Sequence, residues 1–266
     1  MKSRLAILSA LLCLPGLVFA DAMYDDVIRA ELRPGWRLAN GDHMAALHLS
    51  LAPGWKTYWR APGETGIPPL FDWRGSQTRA IAVEWPAPHV FYQSGMRSVG
   101  YKGEVVLPLR VSVKGKGRDV RLSGTIDLGI CKDVCLPHRV HVEAILPATG
   151  GKPDPSIVAA LADLPFSAAE AGVRGVSCDV RLDAGGVTLR TEIDMNRTGG
   201  APETVIETAD PDLWVADPAT RWEGDTLISE TRVSHASGQP FALNRSDVRI
   251  TVLTEQLAVD IEGCRR

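Results

Sequence analysis

The strongest constraint on how this chain can fold is the strict alternation of apolar and polar residues in its short runs. In HMAALHLSLA, Leu47, Leu49 and Leu51 fall on one side while His48 and Ser50 take the other. EVVLPLRVSV gathers Val105, Leu107, Leu109, Val111 and Val113; VRLSGTIDLGI gathers Val120, Leu122, Ile126, Leu128 and Ile130; RVHVEAIL adds Val140, Val142 and Ala144. Successive side chains of a strand point to opposite faces, so runs of this kind bury one face only, the pattern of antiparallel sandwiches rather than parallel sheets. Gly and Pro, 25 and 18 of them, punctuate the runs as short strands require.

The pattern changes at PATGGKPDP. There Asp154 and Pro155 make an N-cap and first-turn pair, and Ile157, Leu161 and Leu164 recur at helical spacing before Pro165. Alternation then resumes in VTLRTEID, TVIET, DLWVAD, DTLISETRV, DVRITVLTE and LAVDIEGC. The expected architecture is all-β: tandem immunoglobulin-like antiparallel β-sandwiches with a short linking helix. Residues 21–150 form the first sandwich, 151–172 the linker with its helix, and 173–266 the second sandwich.

Residues 1–20 read as a secretory signal. Lys2 and Arg4 supply its positive start, Leu5 to Phe19 its apolar run, and Val18-Phe19-Ala20 the cleavage region. Pro15 and Gly16 interrupt that run, which falls short of the roughly 20 residues needed to span a bilayer. Leu12 stands where a lipoprotein signal wants a small residue, so Cys13 leaves with the leader and the mature chain begins near Asp21. No later run is apolar for long enough to cross a membrane, and the protein is expected in the periplasm. The formal net charge of −3 offers no basic footprint for nucleic acid.

Four cysteines remain after the leader: Cys131, Cys135, Cys178 and Cys264. An exported chain meets an oxidising compartment, where an even number implies disulfides. Cys178 opens the second sandwich and Cys264 closes it. Bridging them encloses a loop of about 85 residues, removing roughly 4.6 kcal/mol of unfolded-chain entropy, which is the profile of a structural disulfide. A bridge within CKDVC encloses about 5 residues and contributes only roughly 2 kcal/mol by the same reasoning. Gly129 and Pro137 mark a bent tip there, and continued alternation past Ile130 points Cys131 away from the core. Lys132, His138 and Arg139 stand near enough in sequence to favour a thiolate, with Asp133 opposing. An exposed, weakly stabilising bridge suits thiol–disulfide exchange. No cofactor is required. The alternative is a Cu(I) site on the reduced pair, using Cys131, Cys135 and His138, with Met96 or His141 as weaker candidates.

Three blocks occur in a characteristic order: PGWKTYWRAPGETGIPPLFDW, WPAPHVFYQSGMRSVGYKGEVVLPL and LGICKDVCLPH. Together they resemble the periplasmic N-terminal domain of the DsbD family of protein-disulfide reductases, in particular the ScsB-like subgroup linked to copper tolerance. The resemblance implies an immunoglobulin-like domain whose cysteine pair exchanges electrons with periplasmic thioredoxin-like proteins. Cys135 would form the mixed disulfide and Cys131 would resolve it. It also implies an aromatic cap over the pair, a place held here by Phe91 to Arg97, with Phe91 or Tyr92 as the lid and Tyr58 beside the site. Trp55, Trp59, Trp73 and Trp85 are read as core, and Glu64 as solvated. Better-known members space the two cysteines more widely and continue into membrane and thioredoxin-like domains. A separate membrane electron donor is therefore expected to serve this chain.

Overall fold

A computed structural model describes residues 27–265 apart from 116 and 184. The leader expected at 1–20, Cys13 and the expected mature start near Asp21 lie outside the described residues. Ten strands build the first sandwich: β1 (Ile28–Arg37), β2 (His43–Leu51), β3 (Lys56–Tyr58), β4 (Leu70–Gly75), β5 (Thr78–Val83), β6 (His89–Gln93), β7 (Met96–Lys102), β8 (Glu104–Val113), β9 (Val120–Cys131) and β10 (Cys135–Leu146). One sheet runs β1-β2-β8-β5; the other runs β10-β9-β3-β7-β6, with β4 also paired to β9.

Helix α1 (Pro155–Ala162) follows. The second sandwich then comprises β11 (Phe166–Ser167), β12 (Gly175–Asp183), β13 (Gly186–Asp194), β14 (Glu203–Glu207), β15 (Leu213–Val215), β16 (Ala219–Glu223), β17 (Thr226–His235), β18 (Arg249–Leu253) and β19 (Ala258–Glu262). Its sheets run β11-β19-β18-β14 and β12-β13-β17-β15, with β16 added on β17. The short β11 pairs in parallel with β19, whereas the other strand pairs are antiparallel. The fold is all-β and immunoglobulin-like in both halves. No helix among the described residues is long and apolar enough to cross a membrane.

The alternating runs supply the first core. Val105, Leu107, Leu109, Val111 and Val113 of β8, with Val120, Leu122, Ile126, Leu128 and Ile130 of β9, are all buried. Trp59 joins them fully, and Trp55, Trp73 and Trp85 pack against them. Strand β2 departs from one-sided burial because α1 covers its outer face. Ile157 sits on Met44 and Ala46 there, a burial worth about 1.5–3 kcal/mol. Asp154 caps the helix by accepting from the amides of Ser156 and Ile157, adding about 1 kcal/mol. The helix is thus a third layer on the first sandwich as well as a connection.

The two sandwiches share apolar surface and charge. Val205, Leu253 and Ala258 of the second belong to the core of the first. Arg60 meets Glu207 at 2.9 Å, and Arg97 meets both Glu203 and Asp217 at 3.0 Å. Glu64, expected to be solvated, is exposed but accepts the Asp217 amide at 3.3 Å.

Candidate active site

Strands β9 and β10 form a hairpin in which Cys131 and Cys135 are direct cross-strand partners, separated by Lys132, Asp133 and Val134. The two sulfurs are bonded, with the Cα atoms 4.1 Å apart. Directly opposed residues of an antiparallel pair put their side chains on the same face, so the hairpin brings the sulfurs together without a helical turn.

The two ends of this bridge differ. Cys135 is exposed, whereas Cys131 is only 3% exposed. The expectation of an exposed bridge is therefore corrected at Cys131, which is buried although it lies on the face opposite Ile130 and outside the core cluster. Strand β3 lies beside β9 in the same sheet, pairing Lys56 with Cys131 and Thr57 with Ile130, and the buried side chains of Lys56 and Tyr58 stand on the face that Cys131 shares. The Thr57 hydroxyl donates to the Gly129 carbonyl at 2.9 Å. A Cβ on Gly129 would stand 2.8 Å from both the Tyr58 ring and Ile67, so the missing side chain is what lets Tyr58 lie flat over β9.

From that position the Tyr58 hydroxyl reaches Cys135 Sγ at 3.1 Å. A disulfide sulfur carries no hydrogen, so the phenol donates. Burial raises the Tyr58 pKa above its usual value, which keeps the proton on the phenol at neutral pH. The same O–H is placed to donate to Cys135 as a thiolate.

The cap position is a two-residue hairpin, β6–β7, with Gln93 opposite Met96 and both turn residues, Ser94 and Gly95, in the left-handed region (φ 52° and 80°). The hairpin touches the cysteine loop where Gln93 Nε2 donates to the Lys132 carbonyl at 2.7 Å. Phe91 lies under two ammonium groups, 5.6 Å from Lys56 Nζ and 4.4 Å from Lys102 Nζ. Tyr92 turns toward the second sandwich and donates to Glu203 Oε1 at 2.5 Å. Arg97, on β7, is only 7% exposed and adds a bond to the Thr204 carbonyl at 2.9 Å. The cap is therefore tied to both sandwiches. Sequence reading missed Lys56, Arg60 and Arg97; a charge inside an otherwise aromatic block is the one signal that marked Lys56.

The candidate copper ligands do not converge. His138 opposes Leu128, three residues beyond Cys135, and an odd offset in a strand places it on the opposite face. His141 bonds Thr125 at 3.0 Å, and Met96 is exposed on the cap. Among the described residues no group of three or more His, Cys, Asp or Glu is arranged to hold a metal. The second disulfide, Cys178–Cys264, joins the start of β12 to the segment after β19, with Cα atoms 5.6 Å apart.

Residues 28–147, which include both cysteines of the hairpin, match the family model described as the N-terminal domain of the thiol:disulfide interchange protein DsbD. The crystal structure of the N-terminal periplasmic domain of ScsB from Proteus mirabilis is similar over 90% of this chain and 92% of that one, with a TM-score of 0.66. Sequence identity to it is 23%, so that likeness speaks for a common fold across both sandwiches. No curated protein sequence matches the chain.

Proposed function

We propose that this chain, whose residues 28–147 match the model of the DsbD N-terminal domain, is a periplasmic thiol–disulfide interchange protein. It relays reducing equivalents from a membrane electron donor to thioredoxin-like partners through Cys131 and Cys135. The observation that carries the reading is the asymmetry of the bridge: Cys135 is open to a partner and hydrogen-bonded by Tyr58, while Cys131 is enclosed.

In the reduced protein the Cys135 thiolate attacks one sulfur of the partner's disulfide. A mixed disulfide forms and the partner's other sulfur departs as a thiolate. The Cys131 thiolate then attacks Cys135 Sγ, closing the internal bridge and releasing the partner as a dithiol. Two electrons pass to the partner. A membrane donor dithiol resets the pair by the reverse sequence. Tyr58 and the Phe91 and Tyr92 cap shape access to Cys135, and Cys178–Cys264 serves as the structural bridge. The copper alternative has no convergent third ligand in its favour.

The test is trapping. Cys131→Ser is expected to accumulate mixed disulfides with thioredoxin-like proteins through Cys135, whereas Cys135→Ser is expected to accumulate none. Equal trapping by both variants, or an intact bridge in the folded protein under mild reductant, overturns the proposal.

A further inference from the structure

A single row crosses the sheet at the site. Cys135 on β10 opposes Cys131 on β9, Cys131 opposes Lys56 on β3, and Lys56 opposes Lys102 on β7. All four side chains share one face, and neighbours in such a row stand about 4.5–5.5 Å apart at Cβ. The ends of the row, Cys135 and Lys102, are exposed, while its middle, Cys131 and Lys56, is buried.

Lys56 is the anomaly. Lysine is almost never buried unless paired, yet this one is 6% exposed. Its ammonium has the Ser98 hydroxyl at 3.1 Å and the Phe91 ring for company. Among the described residues neither Lys56 nor Lys102 makes an ion pair with a carboxylate. The charged groups of the adjoining hairpin loop, Lys132 and Asp133, are exposed, and the Tyr58 hydroxyl is turned to Cys135. Burial, and then the charge of Lys102, lower the Lys56 pKa, so the site is short of an anion. Opening the neighbouring disulfide creates one.

We propose that Lys56 is an electrostatic positioning residue whose buried ammonium stabilises the Cys131 thiolate. The inference rests on Cys131 and Cys135 being the working pair. When a donor thiolate attacks the exposed Cys135 Sγ, a donor–Cys135 bond forms and the Cys131–Cys135 bond breaks. The electron pair departs on Cys131, in a buried place where a lone thiolate is disfavoured. Lys56 offsets that penalty. The donor's second thiolate then displaces Cys135 as a thiolate, leaving the donor oxidised and the pair reduced by two electrons. In the opposite direction the same ammonium keeps Cys131 ionised for its attack on the mixed disulfide. Phe91 holds the ammonium from the cap side, which links the state of the cap to the charge at the sulfur.

The test uses the full chain with Cys135→Ser, so that Cys131 is the free thiol and Cys178–Cys264 stays bonded. Titrating the ultraviolet thiolate absorbance, which needs no reagent to enter, gives the Cys131 pKa. Adding Lys56→Met is expected to raise it by about one unit, a tenfold loss of thiolate below the pKa, and Lys56→Arg is expected to restore most of it. An unmoved titration in a folded Lys56→Met protein overturns the proposal. Should that variant not fold, the unsubstituted chain decides through side-chain nuclear magnetic resonance of Lys56. Its pKa must rise when the pair is reduced, by reciprocity of the coupling, and a Lys56 titration identical in both redox states overturns the proposal. No partner protein enters either measurement, so failure of exchange and failure of this inference are read separately.

Discussion

Replacing Arg97 with methionine keeps the aliphatic stem and removes the charge that pins the cap to the second sandwich. The guanidinium meets Glu203 and Asp217 at 3.0 Å and the Thr204 carbonyl at 2.9 Å. Removing one member of a buried ion pair costs about 3–5 kcal/mol because its partner is left uncompensated. Glu203 and Asp217 retain 23% and 25% side-chain exposure, so water relieves part of that penalty and about 3 kcal/mol is the better figure. For a protein of this size about 3 kcal/mol lowers the midpoint of thermal unfolding by about 6–12 °C. The pH dependence has a definite sign. Burial raises the Asp217 pKa even with Arg97 pulling it down, and removing Arg97 raises it further. A folded-state pKa above the unfolded one contributes stability at low pH that is lost as pH rises through the folded value. The deficit of the variant is therefore largest at neutral pH and shrinks as the carboxylates protonate. Differential scanning calorimetry across pH 4–8 reads this, and adding Asp217→Asn should recover part of the loss. Hydrogen exchange should quicken across β6 and β7. A variant that melts with its parent at neutral pH, or whose deficit grows on acidification, refutes the argument.

Tyr58→Phe, measured in a Cys131→Ser background, removes the phenol's hydrogen bond to Cys135 Sγ while keeping the ring. Hydrogen bonds to charged groups are worth about 1.5–3 kcal/mol, so the Cys135 pKa should rise by about 1–2 units by alkylation against pH, with little change in melting. His43 is fully enclosed and bonded to the Pro34 carbonyl at 2.5 Å, and burial lowers its pKa. A depressed folded pKa gives stability that is present above the unfolded value of about 6.5 and lost as pH falls. His43→Gln should accordingly flatten the decline in melting temperature below that pH. Cys178→Ser with Cys264→Ser removes a bridge of sequence separation 86, and denaturant titration should show a loss of about 4–5 kcal/mol. Mild reductant, followed by mass spectrometry of alkylated thiols, should open Cys131–Cys135 while Cys178–Cys264 persists.

What was legible in the sequence was local and periodic. The runs of β8 and β9 bury the faces their alternation dictates, and Asp154 caps α1 through contacts two and three residues away. What escaped depends on partners remote in the chain. Cys131 is buried on the outer face because side chains of β3, more than 70 residues earlier, stand beside it there. The outer face of β2 gives no hint of burial until α1, over 100 residues later, folds onto it. The pairing of Arg60 and Arg97 could not be read locally, since Glu207 lies 147 residues from the first and Glu203 lies 106 from the second. The short β3 to β7 region was hidden within a Pro- and aromatic-rich stretch whose residues pack by size rather than by period.

The position of β19 sets a timetable for export. It comes last among the described strands, yet it occupies the interior of its sheet, between β11 and β18. Ala258 also fills part of the first sandwich's core. A chain threaded through a membrane from its N-terminal end would therefore hold both halves unfinished until residue 262 has emerged, with β11 cut off from β18. During that interval Cys131 and Cys135, four residues apart, can close locally while Cys178 waits for Cys264. The order of emergence alone thus favours correct pairing of the four sulfurs.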